Sequence, residues 1–476
     1  MRKYQALYER YRGLISSGTY APGDRLPSLR RVAAEEGLGL NTARSAFDLL
    51  EREGLARPRE RGGYYVRGGK GLVEYQPPPA CHLAQGLSSA EKMEYLLGTK
   101  GSEASVLALA APGPDLLPLA QLERRLPSLK TSWTGYGEVR GDEELRRRMA
   151  AFYHPCHGEL SPEDIIVTAG ATEALGIVFR ALLSPGDTVI VESPTYFDYF
   201  RQLAAVKARV VEVPLAPGLG IDLDLLAREL GKRRVRMILV QPNVQNPAGS
   251  LMPDAEKARL VELAARHGAI LVQDDVYGDL AFSGARPANL SAFGDYPGIV
   301  YLSSFSKSLA PGLRLGWLHS RGFRRELATM KGLSSLSASR LSQAALASFL
   351  GGPAYRRHLE TLRSELSSRF ADYAELLASA LPEGSSLLRP AGGCLLWLAL
   401  PEGYDASAVF ERAAAEDILA APGELFSANP FFRRHFRLNF GYRLTEARRA
   451  ALSRLCAIAR EEGGAPGRRR ARAGAR

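Results

Sequence analysis

The stretch Ser304–Trp317, SFSKSLAPGLRLGW, decides how the rest of the chain is read. A strand-forming run, Val300–Leu302, leads into it. Lys307 follows just past the strand end, with the hydroxyls of Ser304 and Ser306 before it and the guanidinium of Arg314 after it. An amine held there is a positioned nucleophile, and hydroxyls with a guanidinium suit an anionic group beside it. Working outward, short apolar or β-branched runs alternate with helical stretches such as Pro253 to His267. The runs are Ile165–Thr168, Val189–Val191, Val210–Val213, Met237–Val240, Ile270–Val272 and Val300–Leu302. That alternation over about 89–462 predicts an α/β domain, a mainly parallel sheet with helices on both faces. Residues 353–460 read as a smaller α+β lobe, with a long helix from Ala354 to Leu377, a strand at Leu395–Leu400 and a final helix.

The chain has 476 residues, 46% of them hydrophobic and 24% charged, which are globular proportions long enough for several domains. The most apolar stretch, Ala104 to Ala120, is broken by Pro112, Pro114, Asp115 and Pro118, so no membrane span is expected. Glu9, Arg10 and Arg12 sit where a signal peptide would need an uncharged core. Cys81, Cys156, Cys394 and Cys456 form no CxxC pair, which argues against a metal site or a disulfide framework and for a reducing cytoplasm. The net charge of +11 is uneven. Residues 1–70 hold 14 Lys and Arg against 8 Asp and Glu, residues 463–476 hold five Arg and no acid, and the rest is balanced. A basic head on a neutral body points to a polyanion partner, most simply nucleic acid.

That head reads as three helices and a hairpin. Leu7, Tyr11, Leu14 and Ile15 recur at helical spacing. A short helix follows from Ser28, its N-cap, to Glu36. A third helix, capped by Asn41 or Thr42, shows the apolar face Ala43, Ala46, Phe47 and Leu50. Two extended pieces, Leu55–Pro58 and Tyr64–Val66, flank a charged tip. The strings RLPSLRRVA (Arg25–Ala33), LGLNTARSAFDLLEREGL (Leu38–Leu55) and ARPRERGGYYV (Ala56–Val66) resemble the GntR-type winged helix-turn-helix over residues 1–66. The resemblance implies operator DNA as partner, with Arg30, Asn41, Thr42 and Arg44 in contact with it and Gly63 near the minor groove. Many relatives carry a polar or basic residue where this chain has Leu40, so their operators do not transfer. Residues 67–88, with Pro77–Pro79 and several glycines, read as a linker, and 463–476 as a disordered basic tail.

The body carries further motifs in a fixed order: YGEVRGDEELR (Tyr136–Arg146), TAGATEAL (Thr168–Leu175), ESPTYFDY (Glu192–Tyr199), QPNVQNPAGS (Gln241–Ser250) and QDDVYGDLAF (Gln273–Phe282). With SFSKSLAPGLRLGW they resemble the fold-type I pyridoxal 5′-phosphate enzymes, the aminotransferase superfamily. The resemblance implies roles residue by residue. Lys307 forms an imine with the cofactor aldehyde, and Asp274 keeps the pyridine nitrogen protonated. Asn246 and Tyr277 donate to the phenolic oxygen, and Tyr196 stacks on the ring. Gly170, Ala171 and Thr172 at a helix start, with Ser304, Ser306 and Arg314, hold the phosphate. Tyr136 reaches the partner subunit's phosphate, and Arg437 in FRLNF grips a substrate carboxylate. Singly each residue has a bland reading; together, in order and at strand ends, they do not.

A GntR-type head joined to such a body resembles the MocR subfamily of transcription regulators. It implies a head-to-tail homodimer in the cytoplasm, at the nucleoid when bound to DNA. In it the body senses pyridoxal 5′-phosphate, or its imine with an amino acid or amine effector. The alternative is a working class I/II aminotransferase with an attached DNA-binding domain, since a transaminase half-reaction is open to any such site.

Overall fold

The computed structural model describes residues 3–16, 19–20, 24–52, 55–59, 63–66, 76–84, 104–128, 135–216 and 218–463. The wing tip, most of the span read as linker and the arginine-rich tail lie outside the described residues.

The head is built from α1 (Lys3–Ser16), α2 (Leu29–Glu35), α3 (Leu40–Arg52) and the antiparallel pair β1 (Ala56–Arg59) and β2 (Gly63–Val66). Its core follows from the helical periodicity: Leu7, Tyr8 and Tyr11 of α1 meet Val32 of α2 and Ala43, Ala46, Phe47 and Leu50 of α3. Phe47 is wedged edge-on between Tyr11 and Tyr64. Ser28 caps α2 as expected, its hydroxyl accepting from Arg31 N–H at 3.3 Å. The start of α3 differs from expectation. Its first carbonyl acceptor is Gly39, which takes N–H bonds from Thr42 and Ala43. Asn41 and Thr42 are therefore inside the first turn, not caps. Backbone bonding to the Gly39 carbonyl starts the helix at Leu40, two residues earlier than a cap at Asn41 would and three earlier than a cap at Thr42.

The body's large sheet uses β3 (His82–Leu83), β4 (Ile165–Thr168), β5 (Thr188–Ser193), β6 (Arg209–Ala216), β7 (Gly220–Ile221), β8 (Met237–Val240), β9 (Ile270–Asp274), β10 (Ile299–Ser304) and β11 (Gly316–His319). The order is β3-β6-β5-β8-β9-β10-β11-β4, with β7 on β6. The pairs β6-β5-β8-β9-β10 are parallel, whereas β11 runs antiparallel to both β10 and β4. Central strands buried on both faces read as continuous apolar runs, such as MILV in β8, because helices cover both sides. Three strands, β3, β7 and β11, were not expected. His82–Leu83 pairs with β6 although it lies inside the span read as linker, and two residues carry no periodicity. β11 is the return of the chain after the Lys307 loop, closed by Phe305 N–H to Leu315 O at 3.0 Å. Gly316 is required there: a Cβ would lie 2.6 Å from the Gly170 carbonyl carbon and 2.8 Å from Ser303 O.

The smaller lobe has an antiparallel sheet, β12 (Ser386–Leu388), β13 (Leu395–Ala399), β14 (Ala421–Pro422) and β15 (His435–Asn439), ordered β12-β13-β15-β14. The long helix Ala354–Ala380 and the last helix Glu446–Gly463 pack on it in one continuous core with the body. Head and lobe meet where Arg57 of β1 holds both carboxylate oxygens of Glu375, at 2.6 and 2.9 Å. No helix among the described residues is long and apolar enough to cross a membrane.

Candidate cofactor and carboxylate site

In an open α/β sheet the ligand crevice forms beyond the carboxyl ends of the strands. Here the ends of β4, β5, β8, β9 and β10 converge on one cavity of about 120 Å³. Its walls carry Ala171, Thr172, Tyr196, Asn246, Asp274, Tyr277, Ser304, Ser306, Lys307 and Arg314, so ten residues picked from separate motifs are brought together.

β10 ends at Ser304, and the tight loop after it turns Lys307 into the cavity, its Nζ 5.9 Å from the Tyr277 ring centre. Burial pushes this amine below its ordinary pKa. It makes no hydrogen bond or ion pair among the described residues. Other buried lysines are engaged: Lys257 donates to Ala288 O, and Lys331 pairs with Glu173. Asp274 ends β9, buried, and burial pushes its carboxyl up to about 6. Tyr199 OH donates to its Oδ2 at 2.6 Å and Val276 N–H to its Oδ1 at 3.2 Å.

The same cavity gathers groups whose chemistry suits an anion. Gly170, at φ +96°, opens the helix Ala171–Leu182 and leaves its first N–H groups facing the cavity. A Cβ at Gly170 would lie 3.0 Å from Arg314 Nη2, so the glycine lets the guanidinium approach the helix start. Ser306 N–H donates to Ser304 Oγ at 3.1 Å, and the two hydroxyl oxygens are 2.9 Å apart.

The small lobe contributes Arg437 from β15. It is buried; Nη1 donates to Asn246 Oδ1 at 3.3 Å and Nη2 to Ala108 O at 2.7 Å. Its Nε has no partner among the described residues, and no carboxylate there pairs with the group. Burial lowers its pKa, and the Phe426 ring lies 4.9 Å from the guanidinium carbon. Because Asn246 Oδ1 accepts from Arg437, its amide N–H groups remain as donors. Tyr277 OH donates to Ala110 O at 2.8 Å, so its proton is engaged by the backbone in this arrangement.

Tyr136 does not line this cavity; it is 87% exposed. In the head, Arg30, Asn41 and Arg44 are exposed and Thr42 is half-buried. Gly63 opens β2 at φ +86°. Two residues of the site were not singled out from the sequence. Gln241 accepts Asn246 N–H on its side-chain oxygen at 2.9 Å; its signals were its place at the end of the MILV run and at the start of the QPNVQNPAGS motif. Tyr199 closes the ESPTYFDY motif, but nothing in the sequence marks its contact with Asp274.

The donor set fits a phosphorylated pyridine aldehyde: an unpaired amine, a carboxylate for the ring nitrogen, a stacking tyrosine and a cradle for the phosphate. Comparison with known proteins agrees. The profile of aminotransferase class I and II matches residues 112–454, and that of bacterial regulatory proteins of the gntR family matches residues 3–66. The uncharacterized HTH-type transcriptional regulator YdcR of Escherichia coli is 33% identical over 468 residues, 97% of this chain and 100% of that protein. The probable rhizopine catabolism regulatory protein MocR of Rhizobium meliloti is 26% identical over 91% of this chain and 87% of its own length. A Pyrococcus horikoshii kynurenine aminotransferase, solved with PMP, superposes with a TM-score of 0.73 at 28% identity, covering 80% of this chain and 96% of that one. The aminotransferase family is pyridoxal 5′-phosphate-dependent, and the cofactor belongs to this body. Matched from head to body by regulators rather than by enzymes alone, the chain belongs to the MocR-like transcriptional regulators, in which a GntR-type DNA-binding domain is fused to a class I and II aminotransferase domain.

Proposed function

We propose that the body is the sensor of this regulator. It binds pyridoxal 5′-phosphate and an amino compound bearing a carboxylate, and its occupancy sets the affinity of the head for operator DNA. The observation that carries this reading is Arg437, a buried guanidinium with two carbonyl-type acceptors and no carboxylate partner among the described residues. An unpaired buried charge is costly, and a bidentate carboxylate is the ligand that offsets it best. A sensor of free cofactor alone would have no use for it.

Pyridoxal 5′-phosphate, when bound, supplies an aldehyde that condenses with amines and a ring that draws electrons. Lys307, held below its ordinary pKa, offers the nucleophilic amine and can carry a proton to and from the reacting carbon. Asp274, oriented by Tyr199 and Val276 N–H, holds a proton on the ring nitrogen. Tyr196 covers the ring. Arg314, the two serines and the helix start at Gly170 take the phosphate. Arg437 and Asn246 orient the effector.

The domain boundaries follow this division: a DNA-binding head to residue 66, a short linker and a body to residue 462. The exposure of Tyr136 supports a head-to-tail homodimer in which it reaches the partner's phosphate. A cytoplasmic location follows from the DNA target. Arg437 and Glu375 belong to the same lobe, and Glu375 holds Arg57 of the head, so movement of that lobe on effector binding reaches the head through a direct contact. Retention of Lys307 and Asp274 also equips the body for a transaminase half-reaction.

The test is operator affinity at fixed salt, with and without pyridoxal 5′-phosphate and amino acids, for the native chain and Lys307→Ala. Allosteric coupling of ~1–3 kcal/mol corresponds to roughly a 5- to 150-fold response, which the variant should lose while still binding DNA. No ligand response in the native chain, together with repeated turnover of amino and keto acids, would favour the aminotransferase reading instead.

A further inference from the structure

Leu40 is the first residue of α3 and is 48% exposed, a large apolar side chain in the turn of a helix that ordinarily begins with polar groups. The core face of this helix is made by Ala43, Ala46, Phe47 and Leu50, and Leu40 lies outside it. It stands one turn before the exposed Arg44 and beside the exposed Asn41, at the end of the helix that enters a major groove in this class of DNA-binding domain. The head's surplus of positive charge brings a polyanion to this surface. The one apolar group that a major groove presents is the C5-methyl of thymine. A leucine can neither donate nor accept a hydrogen bond, so it would leave the polar edge of a guanine or cytosine desolvated and unpaired. We propose that Leu40 reads a thymine methyl group, making it a specificity-determining residue in each operator half-site. This rests on the DNA-binding function of the head and goes beyond it by naming the base.

The experiment begins with selection of duplexes from a random pool by the full chain at fixed salt. In the selected site each thymine is then replaced singly by deoxyuridine, which removes only the methyl group. Burial of one methyl group is worth about 0.8 kcal/mol, so one thymine per half-site should show roughly a fourfold loss on replacement. With Leu40→Ala that difference should vanish while affinity for the uracil site stays that of the native chain. Leu40→Arg should shift the selected base at the same position toward guanine. The proposal is overturned if no thymine shows the loss, if Leu40→Ala retains it, or if Leu40→Ala changes only the oligomeric state. Failure to enrich any site would instead overturn the DNA-binding reading itself. An unchanged melting curve of Leu40→Ala separates loss of a contact from loss of the fold.

Discussion

Arg437 stands behind Asn246 of the cavity wall with a buried positive charge and no acid to meet it among the described residues, and its consequence is sharpest at the scale of one residue. Charge-assisted hydrogen bonds contribute about 1.5–3 kcal/mol, and each 1.4 kcal/mol is tenfold in affinity. Arg437→Gln in the cofactor-loaded protein is expected to weaken amino acid binding roughly 10- to 150-fold. Binding of the corresponding decarboxylated amine should be nearly unchanged, since it has nothing for the guanidinium to hold. Calorimetric titration of both ligands checks this, and an equal loss for both would show that Arg437 only supports the pocket. Arg437 was legible in the sequence only through its resemblance to a short motif. Its pairing with Asn246, 191 residues away in the chain, was not legible, because nothing local to either residue encodes the approach of the two lobes.

At the scale of the element, the end of β5 carries a titratable device of its own. Glu192 is buried, accepts the Gln241 backbone N–H at 3.0 Å and the Gln245 side-chain Nε2–H at 3.3 Å on Oε2, and burial pushes its carboxyl up to about 8. The folded state therefore binds a proton that the unfolded chain has released above its ordinary 4.5. For a raised pKa the stabilisation is complete below the unfolded value and is lost as pH rises through the folded one. Between pH 4.5 and 8 this group should lower the stability of the cofactor-free body by up to about 1.4 kcal/mol per pH unit. Glu192→Gln, which mimics the protonated acid, should remove that slope. Denaturant unfolding at several pH values measures it, and identical slopes in variant and native chain would contradict the burial argument. Asp274 is shifted in the same sense, so some slope should persist in the variant. The strands themselves were legible here: MILV and IIVT form β8 and β4 with the bounds expected from their apolar runs. The antiparallel β11 was not, because four residues after a tight loop look the same whichever way they run.

For the whole molecule, the head's own surplus of positive charge and the helix-turn-helix pattern lie in one part and the cavity in another. A fragment starting at residue 76, which keeps β3 in its place against β6, should bind pyridoxal 5′-phosphate and fail to bind operator DNA. A fragment starting at residue 89 should be less stable, since it leaves the edge of β6 uncovered. Absorbance titration and a mobility-shift assay with the full chain as control decide both points. If the first fragment shifts a specific operator as well as the full chain, the division of labour is wrong. The head contributes its own contact, Arg57 to Glu375, but an ion pair this exposed is worth at most about 1 kcal/mol, so it can steer the head without welding it to the lobe.

What the sequence by itself determined were local matters: which apolar runs form the central strands, where positive charge accumulates, and which residue types stand at strand ends. Propensity, periodicity and composition act over a few residues, so they survive in a linear reading. The tertiary structure decided which of those residues meet. It placed Tyr199 on Asp274, set Arg437 against Asn246 without an anion, left Leu40 exposed at the head of its helix, and joined β3 to a sheet more than a hundred residues further on. The physical reason is that burial of apolar faces, which brings these groups together, is a property of whole elements packing and not of any neighbouring residues in the chain.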